Sequence, residues 1–501
     1  MNSTAERKLG AHERFRANPR RHMAHGTFRV FLGEALVLPT GLITSAYLTR
    51  KLAPVGYGSF TVAATFVAWI EWSIAAMFSR ASFKVIGEAV DWKPPSAAIA
   101  RLYGSIGILT AVILWFFADV LANLLKEPTL GGYLRLFAID IPLFSLVQAH
   151  RTILVGIGNF HARAVVTAVR WITRLLLIVL LVQSGLSING AILGSIGASL
   201  AELICCRYYV QPELFRSTGF PVRELWISAG PLLVYALGMR LIDKLDLILL
   251  QGLRGSISEA GAYGAAQNLT LLSSLFGGAF APLLQSTLTR LMRDGNVELA
   301  RRTGYDALRI AIGLVPFAAI VSAAAGDIAV TVFGDSFRPA GVPLELLIFS
   351  SIGFVTVAVA TAILIAIGKT KITVALTVPL VFLAFVFHLW LIPSLGLYGA
   401  ALVTTGVACL GAIVSLIVVN VLWQVKIPVA TLVRSIVIGV GAFLVSAAWP
   451  ALGFVAVTIK LSILGALVPV LFLVLGEFDA SERRAIMSAL RRPPLAQPDP
   501  L

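Results

Sequence analysis

Long hydrophobic runs, separated by short polar stretches, follow one another along the whole chain. Runs such as ILTAVILWFFADVLANLL and VALTVPLVFLAFVFHLWLI are close to the roughly 20 residues that a helix needs to cross a hydrocarbon core. They predict an all-α integral membrane protein with about fourteen transmembrane helices. The predicted spans are 28–49, 57–79, 102–124, 132–156, 164–184, 188–206, 225–250, 259–288, 307–333, 342–367, 372–393, 397–424, 429–449 and 452–476.

The composition agrees with this pattern. Hydrophobic residues make up 58% of the 501 residues and charged residues only 13%, against roughly 25% charged residues in soluble proteins. The hydrophobic runs leave no room for a soluble catalytic domain between them. We expect polar tails at both ends, at 1–27 and 477–501, and the first tail is strongly basic.

The distribution of positive charge predicts the orientation. If the N-terminal tail is cytosolic, 28 of the 40 Lys and Arg residues lie at or beyond the cytosolic ends of spans, five lie in external loops and seven lie within spans. Cytosolic loops of membrane proteins carry such an excess, so both termini are predicted to be cytosolic. The net charge of +15 then reflects this asymmetry and attraction to anionic membrane lipids, and gives no support for nucleic-acid binding.

Short motifs recur in the two halves of the chain at a nearly constant offset. They pair Tyr57-Gly58 with Tyr263-Gly264 at 206 residues, Gly158 with Gly368 at 210, and Gly185 with Gly396 at 211. We therefore expect two pseudo-symmetric six-helix lobes, an N-lobe at 28–210 and a C-lobe at 222–425, followed by two extra helices at 429–476. The paired glycines fall at span ends or turns, where a positive φ or a close helix approach favours a residue without Cβ.

These stretches carry a resemblance to a known family. YLTRKLAPVGYGSFTVAATFVAWI, LIDKLDLILLQGLRGSISEAGAYGAAQNL and the helix ends GIGNFHAR and AIGKTKIT resemble the polysaccharide-exporter branch of the multidrug, oligosaccharidyl-lipid and polysaccharide exporter superfamily. The resemblance implies a multi-pass flippase of the bacterial inner membrane. Its cargo would be an undecaprenyl-pyrophosphate-linked oligosaccharide, moved outward by alternating access. Membrane lipids, and possible glycan polymerase and assembly proteins, are the implied partners.

Two other function classes remain as alternatives. An ion-coupled exporter of amphipathic cations shares the superfamily, and a membrane glycosyltransferase or glycan polymerase is the enzyme alternative. No long external loop supports the enzyme, and AIGKT has Ile363 where a phosphate-binding loop needs glycine. The three cysteines, Cys205, Cys206 and Cys409, predict neither a disulfide nor a zinc site. We therefore expect no metal and no cofactor.

Ionisable residues within spans are the candidate functional residues, because a charge at the bilayer centre costs about 2.5–3.5 kcal/mol and must face protein or water. They are Glu34, Glu71, Arg135, Asp140, His150, Arg151, Arg170, Arg174, Glu202, Arg240, Asp243, Lys244, Asp246 and His388. Arg135, Arg151 and Glu202 lie near predicted ends, so we expect them to reach the interface. His388 is expected to be a packing residue, whereas His150 is a candidate cavity residue.

Two groups of charges stand out. Arg170 and Arg174 lie four residues apart on one helix face, where they suit either a pyrophosphate or pairing with Glu34, Glu71 or Glu202. The second group places Arg240, Asp243, Lys244 and Asp246 in two turns of the seventh span. That group is either a self-neutralising cluster or a cavity wall on which Arg240 contacts an anion and Asp243 accepts a proton.

The charge asymmetry generates a topology test. Reporters fused after Lys93 and after Arg301 should be cytosolic, and a reporter fused after Arg254 should be external. Paired phosphatase and fluorescent-protein fusions measure this directly, because each is active on one side only. A cytosolic reporter at Arg254 would contradict the predicted orientation of the second half.

Overall fold

The computed structural model describes residues 33–88, 91–212 and 244–478, and every regular element in these ranges is helical. The all-α prediction is confirmed. The α-helices are α1 (Val37–Glu88), α2 (Lys93–Leu124), α3 (Leu130–Ala138), α4 (Asp140–Gly156), α5 (Phe160–Leu181), α6 (Ser187–Tyr209), α7 (244–254), α8 (Ile257–Arg293), α9 (Val297–Ile312), α10 (Val315–Ala323), α11 (Ala325–Phe333), α12 (Gly341–Ala366), α13 (Thr370–Trp423), α14 (Val429–Ala448) and α15 (Phe454–Val474). A π-helical turn, Val182–Leu186, joins α5 to α6.

Nine helical stretches in the described ranges are long and apolar enough to cross a membrane. Large apolar side chains on them point outward, including Phe116, Phe382 and Trp390, each at least 70% exposed. Such surfaces suit lipid rather than water. The protein is therefore a multi-pass membrane protein. The count of fourteen spans stays a prediction, because most of the predicted seventh span lies outside the described residues.

Three of the nine stretches each cover two predicted spans, and each contains a break. A continuous helix of 50 residues, the length of Phe160–Tyr209, would extend about 75 Å, more than twice the hydrocarbon core of about 30 Å. Backbone angles leave the helical region at Ala53, directly before Pro54, and at Gly185 and Gly396. Proline disfavours helical angles in the residue before it, and glycine tolerates the positive φ. The breaks thus lie where the sequence predicted loops.

The matched motifs around Gly158 and Gly368 form the same turn. Both glycines have a positive φ, 76° and 77°. In each case the next amide donates to a carbonyl five residues earlier, from Asn159 to Leu154 and from Lys369 to Leu364, both at 2.8 Å. This pattern is the Schellman motif that ends a helix. Gly158 and Gly368 thus lie at helix ends, as expected, and of the two expected reasons for glycine the positive φ applies to both.

The described chain divides into two compact units. Unit 1 holds the described parts of Met1–Leu269 with Phe333–Pro339 and Phe385–Ala401, and unit 2 holds Thr270–Val332, Ala340–Ala384 and the described part of Leu402–Leu501. The apolar core of unit 2 joins helices α8, α9, α12 and α13. The lobe boundaries at 28–210 and 222–425 remain a prediction.

Within unit 1, α1 crosses the first turns of α8 with almost no side chain between the two backbones. A Cβ on Gly58 would lie 2.0 Å from the Ile257 carbonyl oxygen, and a Cβ on Gly261 would lie 2.4 Å from the Pro54 carbonyl oxygen. The buried Tyr57 hydroxyl accepts a hydrogen bond from Asn268 Nδ2 at 2.8 Å beside this crossing. The repeated Tyr-Gly motif therefore includes a close backbone approach of α1 to α8.

The crossing generates a stability prediction. Gly58→Ala should destabilise the protein by about 1–3 kcal/mol, because the three atoms nearest to the added methyl group are all backbone atoms, which cannot rotate out of the way. Gly41→Ala is the matched control, since nothing lies within 4 Å of a Cβ at that position in the same helix. Thermal unfolding of the detergent-solubilised protein measures both. Equal unfolding temperatures for the two variants would contradict the predicted clash.

Candidate functional site

Arginines line one face of α5. Arg163, Arg170 and Arg174 follow one another at spacings of seven and four residues, which places them on the same side of a helix. The neighbouring α6 approaches closely, because a Cβ on Gly194 would lie 2.8 Å from the Ile178 backbone nitrogen. This close packing brings Glu202 of α6 to the arginine face.

Glu202 lies at the centre of the charged network. It is fully buried, and its Oε1 accepts a hydrogen bond from Arg151 Nε at 2.6 Å. Its Oε2 accepts from Arg170 Nη1 at 3.3 Å. One carboxylate therefore binds guanidinium groups from two helices, α4 and α5. Since a buried charge without a partner is costly, Glu202 fixes the positions of both arginines.

Glu34 pairs with the first arginine of α5. Arg163 Nη2 donates to Glu34 Oε1 at 2.6 Å. The residue before Glu34 explains this register, because a Cβ on Gly33 would lie 2.9 Å from the Ala164 carbonyl oxygen. The close approach of these backbones places Glu34 beside Arg163 rather than beside Arg170 or Arg174.

Two more carboxyl groups reach the same face from α1 and α4. Glu71 and Asp140 are 5% and 2% exposed. Their charges act electrostatically on each other and on those of Arg170 and Arg174. Glu71 Oε1 and Asp140 Oδ1 are buried without a hydrogen-bond partner in the described part of the chain. The arginine face is thus bordered by a carboxyl pair whose hydrogen-bonding capacity is partly unused.

Arg174 is the least compensated of these arginines. It forms no salt bridge among the residues described, and its Nε donates only to Ser195 Oγ, at 3.4 Å. Its guanidinium carbon lies 5.8 Å from the centre of the Trp171 ring. The side chain is partly exposed. Arg174 therefore combines partial exposure with a guanidinium group that has no direct salt bridge among the described residues, as a contact for an anion requires.

The structure decides several of the sequence expectations. It pairs Arg170 with Glu202, whereas Arg174 has no salt bridge among the described residues, and the choice between a pyrophosphate and carboxylate pairing stays open. The expectation that Arg151 and Glu202 reach the interface is wrong, because they are buried against each other. Arg163 was missed because the fifth span was predicted to begin one residue after it. Its spacing of seven residues from Arg170 was the available signal.

Two buried histidines take up different positions. His150 is 1% exposed, and its Nδ1 lies 2.7 Å from the Leu146 carbonyl oxygen, so its observed hydrogen bond stays within its own helix. The structure does not place it in the network around Glu202. His388 is also buried, at 2% exposure, as expected for a packing residue.

The charged group of the seventh span is only partly visible. Arg240 and Asp243 lie outside the described residues, so their predicted roles are not tested. Lys244 Nζ donates to Gln267 Oε1 at 2.9 Å. Asp246 accepts from the Tyr263 hydroxyl at 2.6 Å and from Gln267 Nε2 at 3.0 Å. These two residues hold α7 against α8.

Unit 2 has a charged cluster of its own, which the sequence interpretation did not single out. Glu477 accepts from Arg309 Nε and from Arg434 Nη1, both at 2.6 Å, and it also pairs with Thr431. Burial acts to raise the pKa of Glu477, but the hydrogen bonds from Thr431, Arg434 and Arg309 hold that pKa below its usual value. The cluster borders a cavity of about 400 Å³ whose other walls are largely apolar.

The comparisons with known proteins identify the family. The family model described as polysaccharide biosynthesis protein matches residues 23–286, just over half of the 501 residues. The chain belongs to this polysaccharide biosynthesis protein family. The match covers α1 to α6, and with them every arginine and carboxylate of the network around Glu202. Among curated proteins, none matches the chain in sequence.

Solved structures show which fold this family member has. The lipid II flippase MurJ, in an inward closed conformation, matches with a TM-score of 0.64 and 14% identity, covering 85% of this chain and 98% of MurJ. A variant of the Vibrio cholerae MATE transporter VcmN matches with a TM-score of 0.57 and 14% identity, over 81% of this chain and 97% of VcmN. A multidrug resistance MATE transporter of the MOP superfamily, in an outward-facing conformation, gives 0.54 at 14% identity, over 83% and 98%. The chain has the all-helical fold of these transporters.

The buried network predicts the consequence of removing its centre. Glu202→Ala should destabilise the protein by about 3–5 kcal/mol, because Arg151 and Arg170 lose a buried partner. Glu202→Gln should cost less, since its amide oxygen still accepts a hydrogen bond. Thermal unfolding in detergent measures the loss. Glu298→Ala, at an exposed position of α9, is the control, and an equal loss in both alanine variants would contradict the central role of Glu202.

Proposed function

We propose that this protein is a flippase for a lipid-linked oligosaccharide with a diphosphate linker. It moves this cargo from the cytosolic to the external leaflet of the bacterial inner membrane by alternating access, for polysaccharide biosynthesis. Membership of the polysaccharide biosynthesis protein family and the transporter fold support the class of function. In this proposal both termini are cytosolic, and a glycan polymerase and assembly proteins take over the exported unit.

One observation carries the proposed cargo, namely the arginine pair on α5. Arg174 is partly exposed and has no salt bridge among the described residues, and Arg170 lies one turn away on the same face. A guanidinium group offers a planar fork of donors that matches the oxygens of a phosphate. Two such forks at a spacing of one helical turn suit the two phosphates of a diphosphate.

The surrounding carboxylates give the site a resting state. Arg170 interacts with Glu202, Asp140 and Glu71, so its charge is balanced when no cargo is bound. A diphosphate arriving at Arg174 competes with these carboxylates for Arg170. The binding free energy is then the difference between the contact that Arg170 makes with the diphosphate and the contact that it gives up with the carboxylates. This difference keeps binding weak enough for release on the other side.

The alternative is an ion-coupled exporter of amphipathic cations, and the same site contains the observation that favours it. The buried carboxyl pair of Glu71 and Asp140 would suit a cationic cargo. The two functions predict opposite dependence on charge. Removing arginines abolishes export of an anionic cargo, whereas removing the carboxyl pair abolishes export of a cationic one.

Export assays test the proposal. In cells lacking the protein, the lipid-linked unit should accumulate on the cytosolic leaflet while its synthesis continues. Arg174→Ala should not restore export, because loss of a charge-assisted hydrogen bond of about 1.5–3 kcal/mol weakens binding about tenfold to a hundredfold. Arg174→Lys should restore export partly, since the charge remains but the fork is lost. Export is measured relative to the amount of protein in the membrane.

Arg302→Ala is the matched control, because Arg302 is exposed on α9 and should restore export fully. Full export by Arg174→Ala would rule out the proposed anion contact. Normal export in cells without the protein, combined with sensitivity to cationic drugs, would favour the multidrug alternative. Loss of synthesis of the lipid-linked unit would instead favour the enzyme alternative.

A further inference from the structure

Aromatic rings accompany both arginines of the α5 pair. The guanidinium carbon of Arg170 lies 4.9 Å from the centre of the Phe144 ring of α4, and that of Arg174 lies 5.8 Å from the centre of the Trp171 ring. Both distances are within the range of a cation–π contact. The Phe144 ring in turn packs against Trp72 of α1, with 6.2 Å between the ring centres. Aromatic side chains of three helices therefore border the arginine pair.

Trp72 is the accessible member of this aromatic group. It is 44% exposed, whereas the Phe144 ring that it packs against is buried. Trp72 lies about 10 Å inside the predicted end of the second span at residue 79, at 1.5 Å per residue. Tryptophans of membrane proteins gather instead at the membrane–water interfaces, where the indole ring is partly in contact with water. An exposed indole at this depth, one ring away from Arg170, therefore suits a ligand better than lipid.

Two indole N–H groups on α5 and α1 lack a hydrogen-bond acceptor. Trp171 Nε1 and Trp69 Nε1 are buried without a hydrogen-bond partner among the described residues. Trp69 lies three residues before Trp72 on α1, so the two share one side of the helix. Buried donors are rarely left unpaired in folded proteins, and each exception needs a reason. The helices that carry the arginine pair and the exposed Trp72 thus also hold two unused donors.

A pyranose sugar matches this combination of groups. One face of a pyranose ring carries C–H groups, whose partial positive charge is attracted to the negative face of an aromatic ring. The hydroxyl oxygens of the sugar accept hydrogen bonds from N–H donors. In a lipid-linked oligosaccharide with a diphosphate linker, the first sugar is attached to the phosphate farther from the lipid. A diphosphate bound to Arg170 and Arg174 therefore brings a pyranose ring beside the neighbouring aromatic side chains.

We propose that Trp72 and Trp171 form a binding site for the first sugar of the cargo. Trp72 offers its aromatic face to the sugar ring. In the conformation that admits the cargo, the N–H groups of Trp171 and Trp69 donate hydrogen bonds to the oxygens of the sugar. The proposal rests on the proposed function, because the arginine pair positions the sugar through its diphosphate.

Such a site distinguishes the lipid carrier that has received a sugar from the carrier that has not. A lipid diphosphate without a sugar contacts only the arginine pair. The sugar-bearing carrier also packs on Trp72 and supplies acceptors for two buried donors. Because a site built to hydrogen-bond a ligand disfavours an analogue that leaves its polar groups unpaired, the protein selects the sugar-bearing carrier for export.

Binding of soluble diphosphates to the purified full-length protein in detergent tests this selection. Methyl diphosphate, glucose 1-diphosphate and galactose 1-diphosphate share the same charged group, so their affinities differ through the sugar alone. In calorimetry, the wild-type protein should bind at least one of the two sugar diphosphates about tenfold more tightly than methyl diphosphate, as expected for an aromatic contact together with a hydrogen bond. Trp72→Leu should lose most of this preference, whereas Trp72→Phe should retain most of it. Trp171→Phe keeps a ring but loses the N–H group, and should lose part of the preference.

Trp115→Leu is the matched control, because Trp115 is 47% exposed on α2 and should keep the full preference. The affinity for methyl diphosphate shows in every variant that the protein is folded. Equal affinity of the wild-type protein for all three diphosphates would overturn the sugar site and leave the proposed function in place. A full preference in both Trp72→Leu and Trp171→Phe would overturn it as well. If no diphosphate binds to the wild-type protein, the anion contact of the proposed function falls, and the sugar site falls with it.

Discussion

Pairing of buried charges is the constraint on which unit 1 depends. A charged side chain in the hydrocarbon region costs several kcal/mol unless it meets an opposite charge or water. Helix α5 carries three arginines and α4 a fourth, and each carboxyl group that meets them comes from a different place in the chain. Glu202 shows the effect most clearly, because its two oxygens bind guanidinium groups of α4 and α5 at once. The packing of these helices determines which charges meet, and the resulting ion pairs hold the helices in position.

The same constraint separates the charges that are fully paired from those that are not. A guanidinium group that is buried and fully paired, such as that of Arg151, holds helices together. A guanidinium group that is partly exposed and unpaired within the described residues, such as that of Arg174, is available to a ligand. Arg170 lies between these cases, because its contact with Glu202 is longer, at 3.3 Å. Along about three turns of α5, the arginines therefore change from a salt-bridged Arg163 to an Arg174 that has no salt bridge within the described residues.

Much of the fold could be predicted from the sequence, because it follows from local rules. Hydrophobic runs predicted the helices, and Pro54, Gly185 and Gly396 lie at or beside their breaks. The partners of individual charges could not be predicted. A helix turns about 100° per residue, so a shift of one residue between packed helices changes which side chains meet. Glu34 therefore met Arg163 rather than Arg174. Contacts such as Arg309 with Glu477, separated by 168 residues, depend on the packing of whole helices.

The crossing of α1 and α8 at Gly58 and Gly261 has a further consequence for how such a contact forms. Interfaces built from long side chains lose rotamer freedom whenever they assemble, at about 0.5–1.5 kcal/mol for each immobilised side chain. Backbone packed directly on backbone has no rotamers to order. The crossing therefore gains close packing with little side-chain entropy cost, and its geometry is set by the two backbones.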